Sequence, residues 1–235
     1  MSDGLDNLTA AILAGGLGTR LRAAVADQQK VVAPVAGRPF LMRLLDQLAD
    51  AGLQRVVICT GYKAGQVAEM AGNEYRGMSL RYSPEPGPLG TAGALRLALP
   101  LLESNPVLAL NGDSFCETDL AAFWRAHRER NAASSIVVRE VADMRQSGRV
   151  SFDANGAVTS FVEKGASTGP GWINAGIYLL GRALLESIPA ERPVSLEREI
   201  FPAWIGRGLC AFPTAGKFLD IGTPESYAAA QKLFT

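Results

Sequence analysis

Glycines crowd one point early in the chain, in the stretch "AAILAGGLGTRLRAAVADQQK" from Ala10 to Lys30. Gly15, Gly16 and Gly18 follow a short apolar run, and Arg20 and Lys30 stand just beyond them. Each glycine loses more conformational freedom on folding than any other residue, so a cluster of them implies that something must approach the bare backbone. One arrangement of this kind is a strand running into a loop whose N–H groups meet a nucleotide, with a cation following for its phosphates. Two better-known phosphate loops do not fit. The dinucleotide fingerprint wants a third glycine where Leu21 stands, and an acidic residue closing the second strand, which "RVVICTGYK" lacks. A G-x-x-x-x-G-K-[ST] loop is absent. A plain tight turn between strand and helix remains an equal alternative on glycine content alone.

The elements that must position these residues alternate. "TAAIL", "RVVICT", "LRYS" and "PVLAL" read as strands; "PFLMRLLDQLADAG", "KAGQVAEMAG", "AGALRLALPLL" and "DLAAFWRAHRER" read as helices between and after them. Short apolar strands separated by helices indicate βαβ units and a mostly parallel sheet, with right-handed crossovers placing helices on both faces. After "SSIVVREV" the style changes. "RVSFDANGAVTSFVEK" predicts a hairpin in which Asn155-Gly156 supplies the positive φ angles of a tight turn. "NAGIYLL" predicts a strand, "SLEREIFPAWI" a helix, "LCAFPT" and "KFLDIG" two short strands. A last helix begins near Thr223, with that threonine as N-cap and Pro224 in the first turn. The expected fold is α/β: one domain over residues 1–235, a Rossmann-like three-layer sandwich with a mostly parallel mixed central sheet and an added β-hairpin region in its second half. Asp113, straight after "PVLAL", would then sit at a strand's carboxyl end, on the same rim as the glycine loop, where open α/β sheets bind ligands.

Composition narrows the partners. Lys+Arg and Asp+Glu both number 23, so no basic field calls for nucleic acid. No run approaches the ~18 apolar residues of a membrane span, and the polar N-terminus does not read as a signal peptide. Cys59, Cys116 and Cys210 are far apart and odd in number, which excludes a metal-ligand pair and suits a reducing cytoplasm. His127, the one histidine, is expected to be exposed on its helix.

"LAGGLGTRLR…K…PV" resembles the signature of the sugar-1-phosphate nucleotidyltransferases, and further motifs recur in family order: "PLGTAGAL", "LNGDS", "FVEKG", "NAGIYLL" and "DIGTPESY". The resemblance covers roughly Thr9 to Tyr227 and is closest to the heptose 1-phosphate guanylyltransferases, through "NGDSF", "SFVEKG", "INAGIYLL", "SLEREIFP" and "DIGTPE". It implies transfer of a nucleotidyl group from a nucleoside triphosphate, GTP favoured by the L-G-T-A form of the loop, to a sugar 1-phosphate, with release of pyrophosphate. Two polyanions must meet in such a reaction, so cations and a metal matter more than a nucleophilic side chain.

By the same resemblance Arg20 holds the triphosphate, Lys30 holds phosphate at the reaction centre, and Lys164 holds the phosphate of the sugar. Asp113 and Asp220 provide oxygen ligands for Mg²⁺, which binds through one or two carboxylates plus substrate phosphates; a lone aspartate before a turn is otherwise a cap. Leu13, Ala14, Gly15, Gly16, Gly18 and Thr19 line the nucleotide, with Leu89, Gly90 and Thr91 around base and ribose. Gly112, Glu163, Asn174 and Gly176 face the sugar, where a carboxylate and an amide can bond paired hydroxyls. In one respect the chain departs from the family. Prolines usually bracket the lysine, whereas here it reads Gln29-Lys30-Val31, without the rigidity that prolines would give. The implied partners are the two substrates, with a homo-oligomer left open. A mannose or hexosamine 1-phosphate enzyme using GTP or UTP is one alternative. Another is a catalytically silent subunit of the same fold that senses nucleotide sugars, since fold does not fix function.

Overall fold

The structure, a computed structural model, describes residues 4–18, 21, 28–144, 148–162 and 168–234. In chain order the first half contains β1 (Thr9–Ala14), the ribbon β2 (Pro34–Val35) and β3 (Arg38–Pro39), α1 (Phe40–Asp50), β4 (Arg55–Thr60), α2 (Ala64–Ala71), β5 (Glu74–Tyr75), β6 (Met78–Pro84) and α3 (Gly90–Ala98). There follow β7 (Val107–Asn111), β8 (Ser114–Cys116), α4 (Leu120–Glu129), β9 (Ser134–Val141), β10 (Arg149–Phe152), β11 (Val158–Val162) and β12 (Gly171–Leu180). The chain continues through α5 (Arg182–Ser187), a π-helical turn (Leu196–Ile200), α6 (Phe201–Trp204), β13 (Leu209–Thr214), β14 (Phe218–Asp220) and α7 (Pro224–Leu233).

Alternation along the strands builds two cores on one sheet. In β4, Val56 and Ile58 face one layer while Val57 and Cys59 face the other; in β7, Leu108 and Leu110 oppose Val107 and Ala109 in the same way. The first layer is covered by α1, through Phe40, Leu41, Leu44, Leu45 and Leu48, with α2, α4 and α7 beside it. The second is covered by α3, α5 and α6. Each fully buried leucine or phenylalanine contributes about 1.5–3 kcal/mol of transfer free energy, so the apolar stripe of α1 alone fixes that helix to the sheet.

Strands β6, β4, β1 and β7 are mutually parallel and adjacent in that order. Beyond β7 lies β12, antiparallel to it, then β9 and finally β13, which runs parallel to β9. The amino-terminal half of β12 also meets β10, and β11 and β5 lie outside β10 and β6. Parallel β1, β4, β6 and β7 therefore end along one rim, and antiparallel β12 crosses it just before Ile177, which opposes Leu110 of β7. This is the expected mostly parallel mixed sandwich.

Three local expectations need correction. The β10–β11 turn is not a two-residue Asn-Gly turn: Asp153 N–H donates to Ala157 O (3.0 Å), enclosing Ala154, Asn155 and Gly156, and only Gly156 has positive φ (+83°). Asp153 builds that loop, its carboxylate accepting from the N–H groups of Asn155 and Ala157 (both 2.9 Å), as in hairpins closed by a glycine bulge. "SLEREIFPAWI" forms a π-helical turn before four α-helical residues rather than one continuous helix. His127 is buried, because its face of α4 packs on β9, where Nδ1 lies 2.8 Å from Ser135 Oγ. Burial pushes its pKa down to about 4. The expectation near Thr223 holds: its hydroxyl accepts from Ser226 N–H (3.2 Å) in a capping box, with Pro224 in the first turn.

Candidate active site

The glycine loop leaves β1 at the rim. A side chain at Gly15 would overlap the carboxylate of Glu85, and a Cβ at Gly61 would lie 2.7 Å from Gly15 O. Gly15 is thus held between the ends of β4 and β6, while Gly16 faces open space and Gly18 (φ +58°) turns the chain in the left-handed region. Thr19 and Arg20 lie outside the described residues. On the other side, Gly112 N–H donates to Leu13 O (2.9 Å), and a Cβ at Gly112 would overlap that oxygen. Only glycine lets the β7 exit press against β1, and that contact sets Asp113 beside the loop.

Lys30 reaches the same place. Its ammonium lies 2.7 Å from Asp113 Oδ2, with 10% of the lysine side chain and 43% of the aspartate side chain exposed. Gln29 substitutes for the missing prolines. Fully buried, it donates Nε2–H to Ala14 O (2.6 Å), accepts from Val31 N–H through Oε1 (2.5 Å), and donates its own N–H to Gln66 Oε1 (2.9 Å). The segment before and after Lys30 is therefore tied to the end of β1 and to α2. No motif pointed to Gln29, whose sequence context is merely polar.

Two three-residue strands deliver the second carboxylate. β14 pairs antiparallel with β8 so that Asp220 opposes Ser114, and Ile221 N–H donates to Asp113 O (2.9 Å). Asp113 and Asp220 are thereby brought together. Asp220 Oδ1 also accepts from Gly222 N–H, the turn-capping role foreseen as the alternative. A carboxylate has about four lone-pair sites, so capping leaves it able to ligate. The donor set fits a hard divalent cation: two carboxylates, with no cluster of three or more His, Cys, Asp or Glu among the described residues.

The middle of β12 supplies the opposite wall. Gly176 (φ +77°) occupies an irregularity in the β12–β9 pairing, and a Cβ there would lie 2.5 Å from Ser114 Oγ and 3.0 Å from Asn111 Nδ2. Asn174 Oδ1 accepts from Gly176 N–H (2.9 Å). Glu163 and Lys164 lie outside the described residues. The amino-terminal end of α3, at Leu89–Thr91, closes the rim beyond Glu85. Gly90 (φ +71°) has no room for a side chain, since a Cβ would sit 2.6 Å from Val194 O, and the Thr91 hydroxyl donates to Glu197 Oε2 (2.9 Å).

Glu85 is the acidic group that motif reading passed over, hidden in "SPEPGPLG". One oxygen accepts from Leu89 N–H (2.8 Å), and burial pushes its pKa up despite that bond. Cys59, at the end of β4, is fully buried with its thiol pushed up to about 12, which excludes a thiolate nucleophile there.

The profile described as Nucleotidyl transferase matches residues 9–235. The chain is 36% identical over 222 residues to a mannose-1-phosphate guanylyltransferase of Mycobacterium tuberculosis, covering 93% of this chain but 62% of that one. It is 32% identical over 226 residues to the D-glycero-alpha-D-manno-heptose 1-phosphate guanylyltransferase of Aneurinibacillus thermoaerophilus, covering 96% and 97%. The crystal structure of HddC from Yersinia pseudotuberculosis complexed with GMP-PN superposes with a TM-score of 0.85 at 34% identity, over 97% of this chain and all of that one. With the profile spanning nearly its whole length and a relative at 32% identity covered over 97% of its own length, the chain belongs to the nucleotidyl transferase family.

Proposed function

We propose that the protein transfers a guanylyl group from GTP to a sugar 1-phosphate, a heptose or mannose 1-phosphate, giving a nucleotide sugar and pyrophosphate. The observation that carries this reading is the convergence of the glycine loop, Lys30, Asp113 and Asp220 on one rim of the sheet. An oxygen of the sugar phosphate forms a bond to the α-phosphorus as the bond to the β-phosphate oxygen breaks, and pyrophosphate carries away the electron pair. Charge moves between oxygens of two polyanions, so positioning and electrostatic stabilisation are the protein's task.

The family generally works with a divalent metal; here Asp113 and Asp220 would hold Mg²⁺, which neutralises phosphate charge when bound. Lys30 holds Asp113 in place and offers its charge to the reacting phosphate. Arg20 is assigned to the triphosphate and its departing pyrophosphate, Lys164 to the sugar phosphate, and Glu163, Asn174, Gly112 and Gly176 to the sugar side. Backbone from Leu13 to Gly18, Thr19 and the Leu89–Thr91 loop are assigned to the nucleotide.

The Leu89–Ala92 stretch, and the relatives named guanylyltransferases, support the choice of base, and Glu85 beside it is assigned to the base edge. A carboxylate only accepts, and guanine presents adjacent N1–H and N2–H donors, whereas uracil offers one N–H between two carbonyls. The two cores share one sheet, which supports reading residues 1–235 as a single nucleotidyltransferase domain. No described helix is long and apolar enough to cross a membrane, and the cysteines are free, in keeping with the expected cytoplasmic setting. The test is pyrophosphate release with Mg²⁺, each nucleoside triphosphate and a panel of sugar 1-phosphates. GTP with a manno-configured sugar 1-phosphate should give the highest specificity constant. A higher value with UTP or CTP overturns the guanylyl assignment, and nucleotide-sugar binding without any turnover favours a silent subunit.

A further inference from the structure

A buried polar chain links the two sides of the candidate site. The Tyr178 hydroxyl, inside the second core, accepts from Asn174 Nδ2 (2.7 Å) and Asn111 Nδ2 (3.3 Å). The orientation of the Asn174 amide is fixed independently, because its Oδ1 accepts from Gly176 N–H. With both lone pairs of the phenol oxygen engaged by N–H donors, its single hydrogen is left for Glu197 Oε1, 3.5 Å away. Burial, first, and the nearby Glu197 carboxylate hold the Tyr178 pKa well above its ordinary value, so the hydroxyl keeps that hydrogen.

The far oxygen of Glu197 then accepts from Thr91 Oγ1 and Ser195 Oγ (both 2.9 Å), while the Thr91 hydroxyl accepts from Leu196 N–H (2.8 Å). Glu197 sits on the π-helical turn, and the segment just before it fastens the nucleotide loop: Val194 N–H donates to Leu89 O (2.8 Å) and Ala92 N–H to Val194 O (3.0 Å). A wide turn of this kind commonly marks a functional position in an otherwise regular helix.

We propose that Tyr178 and Glu197 are positioning residues that couple the nucleotide loop to the sugar-phosphate side of the site. The inference rests on the functional reading above. Both side chains act through Asn174, Asn111 and Thr91. Asn111 ends β7 two residues before Asp113, Asn174 lies on the sugar wall, and Thr91 lies in the first turn of α3 on the nucleotide side, so the relay joins all three through hydrogen bonds. Ordering either end by substrate orders the other, which is an energetic coupling between subsites.

The test crosses the readouts. Tyr178→Phe removes one hydroxyl on the sugar side, and its effect is read as GTP affinity by calorimetry with Mg²⁺. Thr91→Val removes one hydroxyl on the nucleotide side, and its effect is read as the KM for mannose 1-phosphate. Each is expected to weaken the opposite subsite by about three- to tenfold, with Glu197→Gln weakening both and lowering kcat less than it raises either KM. The Tyr178→Phe, Glu197→Gln double variant should be no worse than the poorer single. Unchanged GTP affinity in Tyr178→Phe, whether or not its melting temperature falls, overturns the coupling and leaves a structural bond only. Effects of the two changes that multiply overturn it as well. The functional reading stands or falls separately, on pyrophosphate release by the unmutated protein; if that protein binds no nucleoside triphosphate, both are wrong.

Discussion

The Lys30 ammonium and the Asp113 carboxylate meet at 2.7 Å across the gap between the glycine loop and the exit of β7. The lysine is the more buried partner, and its position depends on Gln29. Replacing Gln29 with Ala strands Ala14 O and Val31 N–H, two backbone groups that its side chain satisfies. An unsatisfied buried group costs about 1–3 kcal/mol, and a small misplacement of a catalytic group can cost up to about a hundredfold in rate. Gln29→Ala is therefore expected to lower kcat about ten- to a hundredfold while leaving the KM for GTP nearly unchanged. Steady-state kinetics and the thermal midpoint check this; a variant with normal kcat would show that Lys30 needs no such support.

The two carboxylates predict a metal phenotype. Asp113→Asn and Asp220→Asn each keep shape, and the amide oxygen introduced by Asp220→Asn would still accept the Gly222 N–H bond, so folding should survive. Each is expected to lower turnover about 10²–10⁴-fold, since metal-assisted charge stabilisation supplies several kcal/mol. The losses should be strongly non-additive in the double variant. Pyrophosphate release against Mg²⁺ concentration measures this, and an unchanged Mg²⁺ dependence in Asp220→Asn would leave that residue a turn cap.

Much of this arrangement was legible in the sequence. The apolar run before Gly15, the strand before Asp113 and the capping residues at Thr223 are local signals, and each lies where spacing put it. What sequence reading missed depends on distant partners. Gln29 matters only because Ala14 O and Val31 N–H lie beside it, and the phenol of Tyr178 only because β7 and the π-helical turn flank β12. Of the two strands that carry Asp220 to Asp113, β14 was expected from "KFLDIG", whereas β8 is three residues, too short for a periodic pattern to register. His127 looked exposed because "RAHRER" is polar, yet the buried face of α4 runs through it.

Gly176→Ala should damage the sugar side selectively. Left-handed backbone alone costs a non-glycine residue about 1–2 kcal/mol, and the new methyl would contact Ser114 Oγ and Asn111 Nδ2. The KM for the sugar phosphate is expected to rise at least about tenfold, with the KM for GTP changed less. The reverse order of effects would move Gly176 to the nucleotide side.

His127 predicts an acid limb of stability. Its pKa falls from the ordinary 6.5 to about 4 on folding, because burial disfavours the imidazolium. The unfolded chain thus binds the extra proton between those values, so stability is full above about pH 6.5 and is lost progressively as pH falls toward 4. Thermal midpoints across that range should decline for the unmutated protein and decline less for His127→Gln. Parallel curves would show that His127 does not set the limb.

Lys164→Ala, in the "FVEKG" motif, is expected to weaken use of the sugar phosphate about ten- to a hundredfold, with GTP binding little changed, as the loss of one charge-assisted contact would do. Damage to GTP binding instead would assign this lysine to the other substrate.

The central claim is attack on the α-phosphorus of GTP by a sugar 1-phosphate, and the fate of a label tests it most directly. With GTP labelled at the α-phosphate, Mg²⁺ and mannose or heptose 1-phosphate, the label should appear in a nucleotide sugar, while label at the γ-phosphate should appear only in pyrophosphate. Transfer of γ-label to the sugar, or α-label left wholly in unreacted GTP with every sugar 1-phosphate tried, would contradict it.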